Sequence, residues 1–329
     1  MKVLITGATG FIGSCLAQRL AEKGDTVRAL VRRTSNLSFL KTLPVQLCYG
    51  DLDDRESLIT AVKGTEVVYH SGAKLPQRGS WKGFYRANVE GTQRILDVCL
   101  NERVGRLVYL STVGVFGIKD LDNINESYPL SKSGEFYTDT KMEAEILVKR
   151  WMEEKRLPIS VIYPTITYGP RDGNLVLRAV KLLRMGIIPA VGGRRSRAPF
   201  TYVENLVDGI ISAGTQERAI GRSYIISDEE LIPWADFLSR MAQEMGIKAR
   251  VMYVPYYPLY ALLLGIDLMG KILLPWMTLR SVRTGLRYFA ARRSFDTTLA
   301  RKELGWTQRI SLQEGIGLTV RWLKEGRYI

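Results

Sequence analysis

The chain opens on Val3-Leu4-Ile5, a short apolar run of the kind that forms a strand buried on both faces. It is followed at once by the glycine-rich TGATGFIG and an amphipathic stretch over 14–23. The pattern predicts strand, turn, helix. Further apolar runs at 26–31, 45–49, 66–69, 106–110 and 159–162 alternate with helical periodicity over 55–62, 85–102 and 137–154. Repeated βα units build a doubly wound parallel sheet, because each crossover helix returns the chain to the same sheet in the same direction. Beyond about Pro164 the alternation gives way to helices at 175–185, 203–213 and 234–245 and short strands at 222–226 and 250–253. These predict a smaller, mainly helical lobe over the carboxyl edge of the sheet. Ser311-Leu312-Gln313-Glu314 is a capping box in which Ser311 and Glu314 can satisfy each other's orphan amides, opening a helix through Lys324. The expected organisation is an α/β nucleotide-binding core over 1–165 and a substrate lobe over 166–329, with some segments of the second returning to the first.

Composition narrows the class. With 46% apolar and 24% charged residues over 329 positions, the chain can bury a large core and has no disordered bias. Three scattered cysteines and a single histidine, His70, exclude a disulfide framework and a zinc site, so no metal is expected. Met1-Lys2 leads straight into the first strand with no apolar signal core, and the longest uncharged run, 251–266, holds two prolines and falls short of the ~20 residues of a spanning helix. The expected location is cytoplasmic.

Charge is uneven. Residues 1–165 carry 23 basic and 19 acidic side chains and residues 166–329 carry 24 and 14, giving +4 and +10. The segments 173–203 and 268–295 hold six basic side chains each and no acid. Besides a plainly solvated basic surface, this fits a phosphorylated ligand or an anionic membrane; nucleic acid is not expected.

Gly7, Gly10 and Gly13 end a strand and open a helix, the context in which glycine spacing gains meaning. Without Cβ atoms there, helix N-terminal amides can approach a pyrophosphate and the helix can pack close to the sheet. TGATGFIG resembles the fingerprint of the extended short-chain dehydrogenase/reductases, and other landmarks follow in that family's order. They are Gly50-Asp51-Leu52, His70-Ser71-Gly72-Ala73, Asn88-Val89-Glu90-Gly91-Thr92, Ser111-Thr112, Tyr137-x-x-x-Lys141, Tyr163-Pro164, Tyr168-Gly169-Pro170 and Tyr202 to Val207. Arg301 to Trp306, followed by 311–322, is similar to the C-terminal end of extended members, and 223–230 resembles the 3β-hydroxysteroid dehydrogenase and dihydroflavonol reductase branch.

Within this frame the resemblance implies that Gly7, Thr9, Gly10, Phe11, Ile12 and Gly13 hold the cofactor pyrophosphate, that Asp51 and Leu52 border the adenine, and that Ser71, Ala73, Asn88, Ser111, Pro164, Thr165 and Ile166 line the rest of its path. The second strand ends Leu30-Val31-Arg32-Arg33 with no acid to accept ribose hydroxyls. Two guanidiniums there suit a 2′-phosphate, so NADP(H) is favoured over NAD(H), unless the arginines only face solvent.

Tyr137 and Lys141 are four apart on a helical segment and share a face. A neighbouring ammonium favours phenolate, which brings the tyrosine toward the range where it exchanges a proton with a carbinol or carbonyl. By resemblance Lys141 also holds the nicotinamide ribose, Thr112 donates to the substrate oxygen, Ser111 packs beside it, and Asn88 supports the lysine or serves only helix packing. His70 is expected to pack or bond a loop, and Cys15, Cys48 and Cys99 to be small apolar fillers.

The segment 253–279 is apolar apart from Asp267 and Lys271 and is followed by Arg280, Arg283, Arg287, Arg292 and Arg293. Such a cover fits a sterol-, flavonoid-, polyketide- or acyl-like ketone, peripheral contact with an anionic membrane, or ordinary lobe packing in which Tyr253, Tyr256, Tyr257, Tyr260 and Trp276 are fillers. The expected function is a hydride transfer between NADP(H) and a ketone or secondary alcohol, and the resemblance implies a homodimer. The alternatives are a nucleotide-sugar epimerase and a non-catalytic NADP(H)-binding sensor or scaffold. Val113-Gly114 after Thr112, where sugar dehydratases carry Asp-Glu, argues against a dehydratase.

Overall fold

In the computed structural model, which describes residues 1–75, 79–155, 157–191, 196–273 and 280–329, every βα unit expected of the first half forms. In chain order these are β1 (Lys2–Thr6), α1 (Phe11–Glu22), β2 (Thr26–Val31), β3 (Gln46–Tyr49), α2 (Arg55–Val62) and β4 (Val67–His70). Next come α3 (Trp81–Tyr85), a π-helical turn at Arg86–Glu90, α4 (Gly91–Asn101), β5 (Arg106–Leu110), β6 (Leu121–Ile124), α5 (Phe136–Glu154) and β7 (Ile159–Pro164). The second half adds β8 (Ile166–Tyr168), α6 (Leu175–Arg184), β9 (Ile187–Val191), β10 (Ala198–Tyr202), α7 (Val203–Thr215), β11 (Ser223–Ile226), β12 (Leu231–Ile232) and α8 (Trp234–Met245). It closes with β13 (Arg250–Val254), α9 (Tyr256–Leu273), α10 (Arg280–Ala290), β14 (Arg293–Phe295), α11 (Thr298–Leu304) and α12 (Leu312–Glu325).

The central sheet is parallel throughout, in the order β11-β7-β5-β4-β1-β2-β3. The chain runs outward from β1 to β3, then crosses back and builds from β4 the other way. The connections therefore leave the carboxyl ends of β1 and β4 on opposite faces, opening a crevice there. Both faces are covered, which is why the strands read as continuous apolar runs. On one face Leu16, Leu20, Leu206, Ile210 and Leu304 pack on Val3, Ile5 and Val108; on the other Leu58, Ile95, Leu96 and Val148 pack on Leu4, Val68 and Leu107.

Two elements of the second half belong to this core. Strand β11 extends the sheet beside β7, with Ile226 opposite Pro164, and α7 buries Leu206, Val207 and Ile210 against the sheet. Gly214 of α7 lies so close to the sheet that a Cβ there would stand 2.2 Å from Tyr69 Oη. The remaining lobe has its own core, in which Phe200 stacks on Phe237 at 4.3 Å amid residues of α6, α8 and α12. Helix α12 starts at the expected cap, with Ser311 Oγ accepting from Glu314 N at 3.2 Å, but the reciprocal bond from Ser311 N to the Glu314 carboxylate does not form. Strands β6 and β14, which no apolar pattern announced, pair in parallel across the sequence.

Of the segment 253–279, residues 274–279, including Trp276, lie outside the described residues, as do 192–195 of the basic stretch 173–203. The side chains of Asp267, Lys271 and Arg280 are also outside them. Among the described residues no helix is long and apolar enough to cross a membrane, and no group of side chains could hold a metal ion.

Candidate active site

The glycine turn sits at the crevice. Gly7 adopts φ +72°, and a Cβ there would lie 2.7 Å from Gly72 N; one on Gly13 would lie 2.2 Å from Gly7 O. Both positions are closed to any larger residue, and the N-terminus of α1 presses onto the end of β1 for that reason. Helix α1 has Gly10 at its N-cap, with no side-chain cap and no acid in its first turn. The amides of Phe11, Ile12 and Gly13 are thus left to an outside acceptor, and with the positive end of the helix dipole they suit a pyrophosphate. The residues present fit a dinucleotide. Arg171, itself at φ +72°, clamps this helix: its guanidinium donates to Ser14 Oγ and Gln18 Oε1 and stacks 3.9 Å from the Phe39 ring.

At the end of β2, Arg32 and Arg33 are both exposed, and Arg33 lies 5.5 Å over the Tyr49 ring. Among the described residues neither has a carboxylate within ion-pair distance. Asp51 accepts from Asp53 N at 3.1 Å, and Leu52 reaches toward Gly72, whose added Cβ would meet it at 3.3 Å. Ser71 Oγ donates to Thr6 O at 2.7 Å, and Ala73 is half-buried in the same loop.

Helix α5 carries Tyr137 and Lys141. Tyr137 is half-buried in its first turn; Lys141, one turn on, is 3% exposed and donates from Nζ to Leu110 O at 2.6 Å, with its ammonium 4.1 Å over the Tyr109 ring. Burial drops the lysine pKa to about 7, against the pull of Glu145. The phenol moves opposite to the sequence expectation. Burial pushes the Tyr137 pKa well up, with Glu135 and Tyr288 adding to it. Tyr137 is therefore a neutral acid at ordinary pH.

Thr112 lies two residues beyond β5, at the cap of a 3₁₀ turn over Val113–Phe116. Its Oγ1 accepts from Gly114 N at 3.2 Å, which leaves the hydroxyl proton available to a substrate oxygen. The approach is close: a Cβ on Gly114 would stand 2.4 Å from Thr138 Cγ2, the neighbour of Tyr137. Together with the Lys141–Leu110 bond, this sets the first turns of α5 against the carboxyl end of β5 and the turn after it, with Tyr137 near enough to Tyr109 of β5 to raise its pKa. Ser111 turns the other way and donates to Glu145 Oε2 at 2.6 Å.

Glu145 was not among the expected site residues. It is fully buried one turn beyond Lys141, accepts from Tyr163 Oη at 2.6 Å as well as from Ser111, and pairs with Lys149 at 2.9 Å. The i, i+4 spacing from Lys141 is the signal that could have found it.

Asn88, in the π-helical turn, accepts from Lys74 N at 2.7 Å and donates to Thr140 Oγ1 at 3.0 Å. It therefore reaches the lysine's helix through the adjacent threonine and ties the loop after β4 to α5. His70 bridges the crevice floor. Thr92 Oγ1 gives its proton to Asn88 O at 2.6 Å, so His70 Nε2 must donate to Thr92 at 3.0 Å, and Nδ1 accepts from Thr6 Oγ1 at 2.6 Å. Burial, with Lys141 adding to it, lowers the imidazole pKa to about 3, so it stays neutral and holds the two strand ends together. Pro164 closes β7, Thr165 Oγ1 meets Thr201 Oγ1 at 2.5 Å, and Ile166 opens β8, all beside the same edge. Cys15 and Cys99 are buried and Cys48 is half-buried.

A sequence model described as the NAD dependent epimerase/dehydratase family matches residues 3–227. Among curated proteins, "Sterol-4-alpha-carboxylate 3-dehydrogenase, decarboxylating" of Mus musculus is 28% identical over 97% of this chain and 90% of its own length. "2-alkyl-3-oxoalkanoate reductase" of Stenotrophomonas maltophilia is 28% identical over 96% of this chain and 97% of its own. The crystal structure of gox2253 superposes with a TM-score of 0.82 at 27% identity, covering 98% of both chains.

Proposed function

Because this chain belongs to the NAD dependent epimerase/dehydratase family, in the 3β-hydroxysteroid dehydrogenase-like branch of its extended dehydrogenases, we propose that it transfers hydride between NADP(H) and a ketone or secondary alcohol on a hydrophobic substrate. It is a nicotinamide-dependent dehydrogenase/reductase. The gathering of Tyr137, Lys141 and Thr112 at the end of β5, beside the glycine turn, carries the reading. The bound nicotinamide supplies or takes the hydride. The chain's own residues do the rest. The amides of Phe11 to Gly13 hold the pyrophosphate, Thr112 donates its free proton to the substrate oxygen, and Tyr137 gives a proton to that oxygen or takes one back. As a neutral phenol, Tyr137 is equipped first of all to donate. Lys141 holds the nicotinamide ribose and, through the Leu110 carbonyl, the end of β5. The substrates in the two relatives' names are both carboxylates, which supports an acid group on the substrate here.

The exposed, acid-free Arg32 and Arg33 support NADP(H). Arg33→Ala is expected to weaken NADPH binding about tenfold, ~1.4 kcal/mol, and to leave NADH within about twofold; equal losses for both cofactors in a fluorescence titration contradict the preference. A screen of purified protein against hydrophobic ketones and UDP-glucose, followed by nicotinamide absorbance and sugar interconversion, tests the reaction class. Turnover of the sugar alone would move the assignment to an epimerase.

Two partner contacts complete the reading. Leu100 of α4 and Ile146 of α5 are exposed on adjacent helices, which supports a homodimer through that face. Val251, Met252, Tyr253, Tyr257, Leu262, Leu264 and Ile266 are exposed near the exposed Lys248 and Arg250, which supports peripheral contact with an anionic membrane.

A further inference from the structure

Arg171 follows Tyr168-Gly169-Pro170 in the loop between β8 and α6 and holds a φ of +72°, the left-handed region that a residue with a Cβ disfavours. Its surroundings must keep it there. The next residue, Asp172, is buried and serves the second lobe: its carboxylate accepts from Asn174 N at 2.9 Å, Leu175 N at 3.0 Å and Val176 N at 3.2 Å, at the start of α6. Arg171 serves α1 instead. The left-handed turn is what lets two consecutive side chains hold two different helices.

The guanidinium reaches three residues of α1. Nε donates to Ser14 Oγ at 3.3 Å, and Nη2 donates to Cys15 Sγ and to Gln18 Oε1, both at 3.0 Å. The Phe39 ring, from the segment after β2, lies 3.9 Å from the guanidinium carbon and fixes its plane. The Ser14 contact leads further. Ser14 is buried and donates its own proton to Phe11 O at 2.9 Å. That carbonyl and the Ile12 amide are the two ends of one peptide group, and Ile12 N–H is among the donors that α1 leaves to a pyrophosphate. Hydrogen bonds in series polarise one another, so a proton drawn toward Phe11 O makes the Ile12 N–H a stronger donor at the far end of that peptide. Every bond in the series points the same way, and the first donor is a cation, which strengthens it.

We infer that Arg171 is a positioning residue for the cofactor, acting through Ser14 on the direction and donor strength of the pyrophosphate-facing amides of α1. The inference rests on the reading that places a nicotinamide dinucleotide at the glycine turn.

The test is titration of the purified protein with NADPH, NADH and adenosine 2′-monophosphate, which has no pyrophosphate. Arg171→Ala is expected to weaken NADPH and NADH alike, by about tenfold, the scale of a lost bond to a charged group, and the monophosphate by less than about twofold. Ser14→Ala removes one small hydroxyl and guards against a misfolded arginine variant. It is expected to cost about fivefold, and the double variant about tenfold rather than the roughly fiftyfold product, because both substitutions cut one chain of bonds. Arg171 also lines an open cavity of about 280 Å³ between α1, α7 and α12. Guanidinium ion, well below denaturing concentration, can therefore enter the place left by Arg171→Ala. Compared with sodium chloride at equal strength, it is expected to restore at least about threefold in NADPH affinity to that variant and none to Ser14→Ala. Losses that multiply in the double variant, an equal loss for the monophosphate, no recovery with guanidinium, or dinucleotide binding unchanged in Arg171→Ala overturns the role of Arg171 and leaves the cofactor reading standing. If the wild-type protein binds neither dinucleotide, the cofactor reading fails and this role falls with it.

Discussion

Tyr137→Phe is expected to lower kcat by about a thousandfold, within the ~10²–10⁴ range of general acid–base groups, while NADPH affinity stays within about twofold. The substitution removes one oxygen and nothing else, since phenylalanine fills the same half-buried place in the first turn of α5. That oxygen is the only acid aimed at the substrate oxygen in this account. Burial, Glu135 and Tyr288 hold its pKa up, so it carries its proton throughout the neutral range. Thr112 can still donate a hydrogen bond to the substrate but cannot part with its proton at neutral pH, so it does not replace the phenol. Stopped-flow hydride transfer and a separate cofactor titration check the two halves of the expectation. Turnover within tenfold of wild type contradicts the role given to Tyr137.

Glu145→Gln is expected to move the alkaline limb of the kcat/KM profile to lower pH by roughly one unit, tenfold in activity on that limb. Buried Lys141 has its pKa lowered from 10.5 to about 7, and Glu145 is the charge that resists the fall. The ammonium exists below that value, so removing the carboxylate makes it disappear at a lower pH. The groups facing this pair are Lys149, Tyr163 and Ser111 on Glu145, and Tyr109, His70 and the Leu110 carbonyl around Lys141. Glutamine keeps the shape, and the hydroxyls of Ser111 and Tyr163 can rotate to meet its amide. An unmoved limb would reduce Glu145 to packing. The same shift acts on stability. Between about 7 and 10.5 the unfolded chain binds the lysine proton and the folded chain does not, so this group's contribution rises with pH through that window.

The parallel core was legible because strands covered on both faces read as unbroken apolar runs, and because Gly7 and Gly13 stand where a Cβ would strike backbone. The four-residue spacing of Tyr137 and Lys141 is common by accident; the glycine turn and the landmarks in family order singled the pair out, and both residues lie on α5. The pairing of β6 with β14 was not: Asn123 N donates to Ser294 Oγ across 171 positions, and the short strands carry no periodicity of their own. Glu145 was missed because an acid within a charged helix reads as a solvated one, and only the sheet packed against it shows that its partners are Ser111 and Tyr163. The protonation of Tyr137 was misjudged for a related reason. Spacing places the ammonium on the same helix face, but how far the phenol is withdrawn from water depends on the elements packed over α5, and burial is what raises its pKa. Arg293, one of a run of surface-like arginines in the sequence, is buried against Tyr288 for the same lack of local signal.

Tracing the hydride tests the account most directly. NADPH deuterated at the transferring C4 position is incubated with the protein and the hydrophobic ketones of the substrate screen, and the product is analysed by mass spectrometry and NMR. The account predicts one deuterium on the new carbinol carbon and NADP⁺ in equal amount. A product without deuterium at that carbon, or no reduction alongside interconversion of UDP-glucose with its epimer, would contradict it.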